Sequence, residues 1–456
     1  VQKLATFLLA LSAVTCSKSE PPAPAATGAP STTPSAPSAP GSAPAVGSAA
    51  PAAPADARPL NVLFLTVDSL RADMPWTGYE RKIAPNLTQL AQESVVYTEA
   101  YSPSSYTAQT VATYLSGRYA ATLYRAGWFF ASYSKGNTFF PEVLQEKGIR
   151  TLAWHAHMYF GRGKGLDQGF DVWELVPGIT FNPNTDEHIT SEKMTKLAID
   201  ILGKPENTGK RFFAWAHYMD PHDEYKKQPD APDFGNKNRD RYDSEVFYTD
   251  LWLGKLFEWC EKQPWWKDTA LIVSADHGEA FGENGVWKHA FDVWQVLVRI
   301  PLIVKLPGGK PRRIDARRSL SDISPTIMEL LGEKPLEQFQ GKSLVAELRG
   351  AEAENREPIA VELAEDSHNP PRRAVISGDY KLTVWGKGSK YLLFNLKNDP
   401  GELKELSRAE PDKLAEMKKV YEEKFGKIGF VEPYGGMKLK EGGSAKGPTG
   451  PVEKKP

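Results

Sequence analysis

Cysteine is nearly absent from this chain: Cys16 and Cys260 are the two thiols among 456 residues. A disulfide framework is therefore not what holds the fold, and a chain this long does not need one, because it can bury a sufficient core. An excess of one charge is lacking too. The 56 Lys and Arg stand against 57 Asp and Glu, for a formal net charge of -1. That balance leaves no electrostatic footprint for nucleic acid, and no nucleic-acid partner is expected. Long hydrophobic runs are missing. The apolar stretch from Leu4 to Val14 is too short to span a bilayer as a permanent helix, and no other run is long enough. No internal repeat is visible.

What is present divides the chain by composition. Residues 1–16 read as a short export signal, one lysine followed by an apolar run that ends at Cys16. Residues 17–58 are almost entirely Pro, Ala, Ser, Gly and Thr and cannot bury enough apolar surface to fold, so they read as a semi-extended tether. In residues 59–348 strand-like and helix-like runs alternate. This predicts an α/β domain with a large mixed, mostly parallel sheet sandwiched by helices. Residues 349–437 change pattern. RAVISGDYKLTVWGKGSKYLLFNL predicts antiparallel strands joined at a Gly-Lys-Gly-Ser turn, and Glu410 to Phe425 a final helix with Pro411 in its first turn. This is a smaller α+β subdomain with an antiparallel sheet. Residues 438–456 read as a disordered tail. Cys260 falls on the apolar side of a helix pattern and is assigned to the core.

Three segments carry chemistry. In LIVSADHGEAFGENGVWKH, Leu271 to His289, an apolar run ends in an acid, a histidine and a glycine. A buried strand delivers polar ligands to a sheet end in this way. Asp276 and His277 can share one metal if a tight turn aims both at it, and Gly278 permits such a turn. The bland alternative is a strand that ends in a solvated turn. In NVLFLTVDSLRAD, Asn61 to Val67 reads as a central parallel strand with Asp68 where it stops. Asp68 is either a site carboxylate or a helix cap. In EAYSPSSYTAQTVATYLSGRY, a Ser/Pro-rich loop runs into a helix starting near Thr107 and ending before Gly117. Thr107 is then an N-cap, a nucleophile at a positive helix end, or both.

In this order the segments resemble the sulfatase family, within the alkaline phosphatase superfamily. The resemblance runs from about Asn61 to about Leu406. It includes APNLTQLAQESVVYTEAYSPSSYT, HYMDPHDEY (His217 to Tyr225), SADHGEAFGENGVWKHAF, IPLIVKLPGG and the DYKLTVWGKGSKYLLFNLKNDPGELKELS tail. Three departures stand out. Sulfatases of the usual kind convert a cysteine or serine to formylglycine, reading a Pro and an Arg just downstream. Here the matching position is Thr107, followed by Ala108-Gln109-Thr110-Val111. Threonine cannot become the aldehyde, and in this it is similar to the phosphoethanolamine and glycerophosphate transferase branch. Ser69 stands where many sulfatases have a second acid, and His277 where many have Asn.

The resemblance implies a metal site of Asp68, Thr107, Asp276 and His277 holding one divalent ion: calcium on the sulfatase side, zinc or manganese on the transferase side. Thr107 is the expected nucleophile, with His289 and His222 as catalytic imidazoles. His157, Lys164, His222, Lys288 and His289 are the expected substrate contacts. His155 is an alternative to His157, and His188 and His368 read as ordinary surface residues. Specificity is expected in loops 124–137, 159–169 and 225–241. There Trp128, Phe129, Phe130 and Tyr133 form either a sugar-stacking or lipid-contacting rim or part of the core.

Cys16, at the end of the apolar run, resembles the lipid-modified cysteine of a bacterial lipoprotein. Thr15 before it is larger than the residue usual there. The expectation is an exported enzyme tethered in the bacterial cell envelope, with the membrane as partner through that lipid. Its substrate is a small-molecule, glycan or lipid ester of sulfuric or phosphoric acid, opened through a covalent threonine. The rival readings are a phosphotransferase acting on an envelope lipid or polysaccharide, and a non-catalytic lipoprotein that binds an anionic glycan.

Overall fold

The computed structural model describes residues 58–179 and 189–435. The export signal with Cys16, the tether up to residue 57, His188 and the expected tail lie outside the described residues.

The strands in chain order are β1 (Asn61–Val67), β2 (Val95–Tyr101), β3 (Arg150–His155), β4 (Val172–Leu175), β5 (Phe212–Tyr218), β6 (Thr269–Ala275), β7 (Ala280–Phe281), β8 (Trp287–Lys288), β9 (Arg299–Lys305), β10 (Arg312–Ile314), β11 (Arg318–Ser319), β12 (Ile359–Leu363), β13 (Arg372–Ser377), β14 (Tyr380–Trp385) and β15 (Lys390–Asn395). The main sheet has nine strands in the order β10-β2-β9-β6-β1-β5-β3-β4, with β11 beside β2. Only the β2–β9 and β6–β9 pairings are antiparallel. The expected mixed, mostly parallel sheet is thus the one formed. β1 lies at its middle with every residue buried, which is why NVLFLTV has no polar alternation.

Helices pack on this sheet in two groups. Pro85–Gln92 and Ser191–Leu202 contact the long helix Asn238–Cys260, while Thr107–Ser116 packs with Ile323–Leu330, which touches β1. Cys260 is buried as expected. No described helix is long and apolar enough to cross a membrane.

The second sheet is the antiparallel β12-β13-β14-β15. The β14–β15 turn holds Gly386 and Gly388, both at positive φ, as the Gly-Lys-Gly-Ser motif requires. The last helix runs Pro411–Ile428, three residues beyond its expected end, and packs Met417, Phe425 and Ile428 against Val375, Leu382 and Val384. Together the two sheets belong to one compact unit. One tie between them is Gln109, on the helix that follows the Ser/Pro loop. Its amide accepts from Ala364 N at 2.8 Å and donates to Ala364 O at 3.1 Å, just past β12.

Candidate active site

Parallel register brings the site residues level. Val67 pairs with Ala275 of β6 and with Tyr218 of β5, so Asp68 and Asp276 emerge side by side at the carboxyl ends of neighbouring strands. Both carboxylates are fully buried. Asp68 does not cap a helix. Its Oδ1 accepts from Ser69 Oγ at 2.8 Å, and its Oδ2 faces His157 Nε2 at 2.6 Å and His217 Nε2 at 3.4 Å. Asp276 Oδ1 accepts from Ser69 N at 3.2 Å and His277 N at 2.9 Å, while its Oδ2 has no hydrogen-bond partner.

His277 turns back to the same point: its Nε2 lies 3.2 Å from Asp276 Oδ2. Gly278 makes this possible by a route other than the one expected. Its φ is not in the left-handed region. A Cβ there would stand 2.1 Å from Val296 O, so glycine is needed for close approach to the backbone before β9. Thr107 is the first residue of its helix, with Tyr106 as N-cap, so it does not cap the helix. Its buried hydroxyl is 3.0 Å from His277 Nε2. Ser104, a hydroxyl in the loop before this helix, donates to Gln109 Oε1 instead.

Burial works against the Asp68 carboxylate, but hydrogen bonds from His157 and His217 outweigh it and hold the group well below the usual range. Burial, then the charge of Asp68, push Asp276 up. Two buried acids and an orphan carboxylate oxygen are costly without a cation between them. The ligand atoms of Asp68, Asp276 and His277 lie within 4.8 Å of one another. This donor set fits one divalent metal, with Thr107 at its edge.

A second ring of imidazoles lines the opening. His289 stacks on His277 with centroids 4.3 Å apart and meets His222 at 4.9 Å. Its Nδ1 is 3.1 Å from Glu279 Oε2. Burial lowers His289, but the Glu279 carboxylate overrides it and raises the imidazole to about 9. His289 sits between two non-glycine residues in left-handed backbone, Lys288 (φ 64) and Ala290 (φ 67). The surrounding structure enforces that strain. Lys288 Nζ pairs with Asp223 Oδ2 at 2.5 Å, beside His222. Lys164 is exposed, and no hydrogen bond or ion pair of its side chain joins it to the cluster. His155 turns away, packed on Trp173 and Phe160, so of the two histidines His157 reaches the site. His368 is exposed, as expected.

Of the four loop aromatics, Tyr133 is core. Phe129 stacks on Tyr106 at 4.5 Å, and Phe130 meets Tyr159 at 5.2 Å. Tyr159 in turn lies 4.7 Å from His157. Phe130, Phe291 and Trp287 are half exposed. Phe291 stacks on Phe129 at 6.5 Å, so Phe130 and Phe291 form an aromatic rim near His157.

Two residues went unassigned in the sequence. His217 opens the HYMDPHDEY segment, and the signal for it was alternation. Phe213, Trp215 and His217 share one face of β5, and the last of them reaches the strand's end. Glu279 follows Gly278 directly, but nothing in its spacing marks it as the partner of a histidine ten residues on.

Known proteins resemble this chain in sequence and in fold. The sulfatase family model matches residues 60–333, and the model described as N-sulphoglucosamine sulphohydrolase, C-terminal, matches residues 282–428. Choline-sulfatase of Rhizobium meliloti is 24% identical over 424 residues, covering 76% of this chain and 82% of the relative. Human iduronate 2-sulfatase is 22% identical over 333 residues, covering 55% of this chain and 60% of the relative. The solved phosphonate monoester hydrolase of Agrobacterium radiobacter shares the fold, with a TM-score of 0.65 and 18% identity over 81% of this chain and 95% of that one. The family is generally metal-dependent, as the buried donor set here suits. The match across most of the main sheet, with the ligand residues at its strand ends, makes this chain a member of the sulfatase family and a sulfatase-like ester hydrolase.

Proposed function

We propose that the chain is a metal-dependent hydrolase of phosphoric- or sulfuric-type esters, with phosphoric esters favoured, that works through a covalent intermediate on Thr107. The observation that carries this is the Thr107 hydroxyl, buried on the first turn of a ten-residue helix and 3.0 Å from His277, a member of the Asp68, Asp276 and His277 group. Free helix N–H groups and the macrodipole favour negative charge at that oxygen. A bound divalent ion supplies positive charge that activates a hydroxyl and offsets charge on the transferring group.

In the first step Thr107 releases its hydroxyl proton, Oγ1 bonds to the phosphorus and the bond to the ester oxygen breaks. The departing oxygen takes up a proton from the imidazole pair His222 and His289, which lie together at the opening. In the second step water attacks the phosphorus in line, the threonine oxygen leaves and recovers its proton, and phosphate is released. Sulfuric esters are disfavoured because threonine offers no aldehyde hydrate to expel sulfate. The half-exposed aromatics at the rim support a substrate with a ring or an apolar chain next to the ester, such as a glycan or a lipid. The proposal includes a tether to the cell envelope through lipid on Cys16, and that part rests on the sequence alone. A Cys16→Ser chain should leave the membrane fraction, and undiminished retention would remove the anchor from the proposal.

The test is a rate comparison with the purified protein across an aryl sulfate, a phosphate monoester, a phosphate diester and a phosphonate ester, each with calcium, manganese and zinc. Phosphorus esters should turn over fastest. Turnover confined to the aryl sulfate would overturn the preference for phosphorus.

A further inference from the structure

His289 is carried by an exposed segment whose ends are tied to different parts of the fold. Trp287 and Phe291, on either side of it, are half exposed. Lys288 and Ala290 hold left-handed backbone. A segment with few buried contacts of its own is among the mobile parts of a fold unless it is tied down. At Ala290 the backbone N–H donates to Ser105 O, in the loop before Thr107, at 2.9 Å. Beyond Phe291 the tie is to the second sheet. Lys381 of β14 donates to Val293 O at 2.6 Å, and its Nζ lies 2.7 Å from Glu402 Oε1. Glu402 Oε2 accepts from Gln295 N at 2.6 Å. Trp294, between these two points, packs edge-on against Phe394 of β15 at 5.5 Å.

An ion pair is a costly way to make this tie. Both side chains have 0% exposure. Taking two charges out of water is expensive, and apolar residues of similar volume often serve stability as well or better. Burial raises the Glu402 carboxyl above its usual range, and the Lys381 charge opposes the rise without cancelling it. Glu402 also takes left-handed backbone, at φ 56. What the pair supplies and apolar residues do not is direction. Its hydrogen bonds land on a carbonyl and an N–H of the chain that leaves His289, and a hydrogen bond fixes angle and register where apolar contact does not.

We propose that Lys381 and Glu402 are positioning residues for His289. They fix the chain at Val293 and Gln295 while Ser105 O holds it at Ala290, and the imidazole is thereby set over His277 and against His222. The second sheet takes part in the reaction through this pair. The inference rests on the reading of His289 as a proton donor to the departing oxygen.

The test compares two phosphate esters that both carry a ring. The leaving group of 4-nitrophenyl phosphate departs without a proton, and the alkoxide of benzyl phosphate needs one. Lys381→Met with Glu402→Gln removes both charges and keeps an acceptor for Gln295 N. In this double variant kcat on benzyl phosphate should fall roughly tenfold to hundredfold, while kcat on 4-nitrophenyl phosphate and both KM values change by less than about threefold. A pair that served stability alone would lower both kcat values together, through the folded fraction. His289→Ala should show the same selective loss, and combining it with the double variant should give far less than the product of the two losses. A selective loss in His289→Ala beside a wild-type ratio in the double variant would overturn the positioning role and leave His289 as the acid. Equal losses on both esters in His289→Ala would overturn the acid and the inference with it. If the double variant does not fold, Glu402→Gln alone decides: a selective loss on benzyl phosphate supports the pair, and an unchanged ratio overturns it.

Discussion

Thr107 Oγ1 lies 3.0 Å from His277 Nε2, although 170 residues separate them along the chain. The contact joins the first turn of a helix to the end of a strand, and it places the proposed nucleophile at the edge of the ligand set. Thr107→Ala is expected to lower turnover on the order of 10³-fold or more, because no other oxygen replaces the lost hydroxyl. Thr107→Ser should keep part of the activity. Intact-mass analysis after brief substrate exposure should find the added group on the peptide containing Thr107. A label on Ser104 or Ser105 would move the nucleophile.

Gln109 holds the helix that carries Thr107 against the second sheet through Ala364 N and O, and it also accepts from Ser104 Oγ at 3.1 Å. Replacing it by leucine leaves a buried backbone N–H and C=O unpaired. A loss of about 2–3 kcal/mol is expected, read as a lower urea midpoint with an unchanged slope. An unchanged midpoint would show that the clamp is redundant.

Gly278→Ala puts a Cβ 2.1 Å from Val296 O, a contact that backbone must relieve. His277, directly before it in the chain, moves with the turn. The variant should fold, with a circular dichroism spectrum like wild type, while metal affinity falls at least tenfold. Wild-type affinity would mean that the turn Gln295–Val298 gives way instead of the ligand turn.

Asp73 joins Arg71 at 2.8 Å and Arg239 at 2.8 Å, and Arg71 in turn donates to Glu279 O at 2.6 Å. Burial raises the Asp73 carboxyl, and the two guanidinium groups overcome that and hold it below its usual 3.8. A depressed carboxylate contributes stability that is present above its unfolded pKa and lost as pH falls through the folded one. Wild type should therefore be more stable than Asp73→Asn at pH 7, with the gap closing below about pH 3.8. At 38% exposure the effect is screened and modest. Urea melts from pH 7 to pH 3 measure it, and a gap that does not change with pH would rule out the linkage.

The sequence alone determined the architecture and the ends of its key strands. A fully buried parallel strand has no room for alternation. NVLFLTV therefore marked the sheet centre, and Asp68 was legible as the polar residue at which the apolar run ends. The same logic exposed Asp276, and the Ser/Pro loop followed by an apolar run marked the helix at Thr107. What the tertiary structure alone decided is which side chains meet. His217 looked like one more residue of an aromatic strand until parallel register set it opposite Thr66, level with the approach to Asp68. Glu279 and His289 met through the folding back of the β7–β8 hairpin. Gly278 was legible as glycine at a turn, but its reason, close approach to Val296, belongs to a short helical turn before β9 that sequence reading cannot place against it. Lys164 followed the resemblance into the list of contacts, and its exposed loop leaves its side chain unattached to the cluster. Periodicity reports which face of an element is buried, because burial acts on each residue separately. Which groups face one another across elements depends on register and strand order, and these are set only when the whole sheet closes around its core.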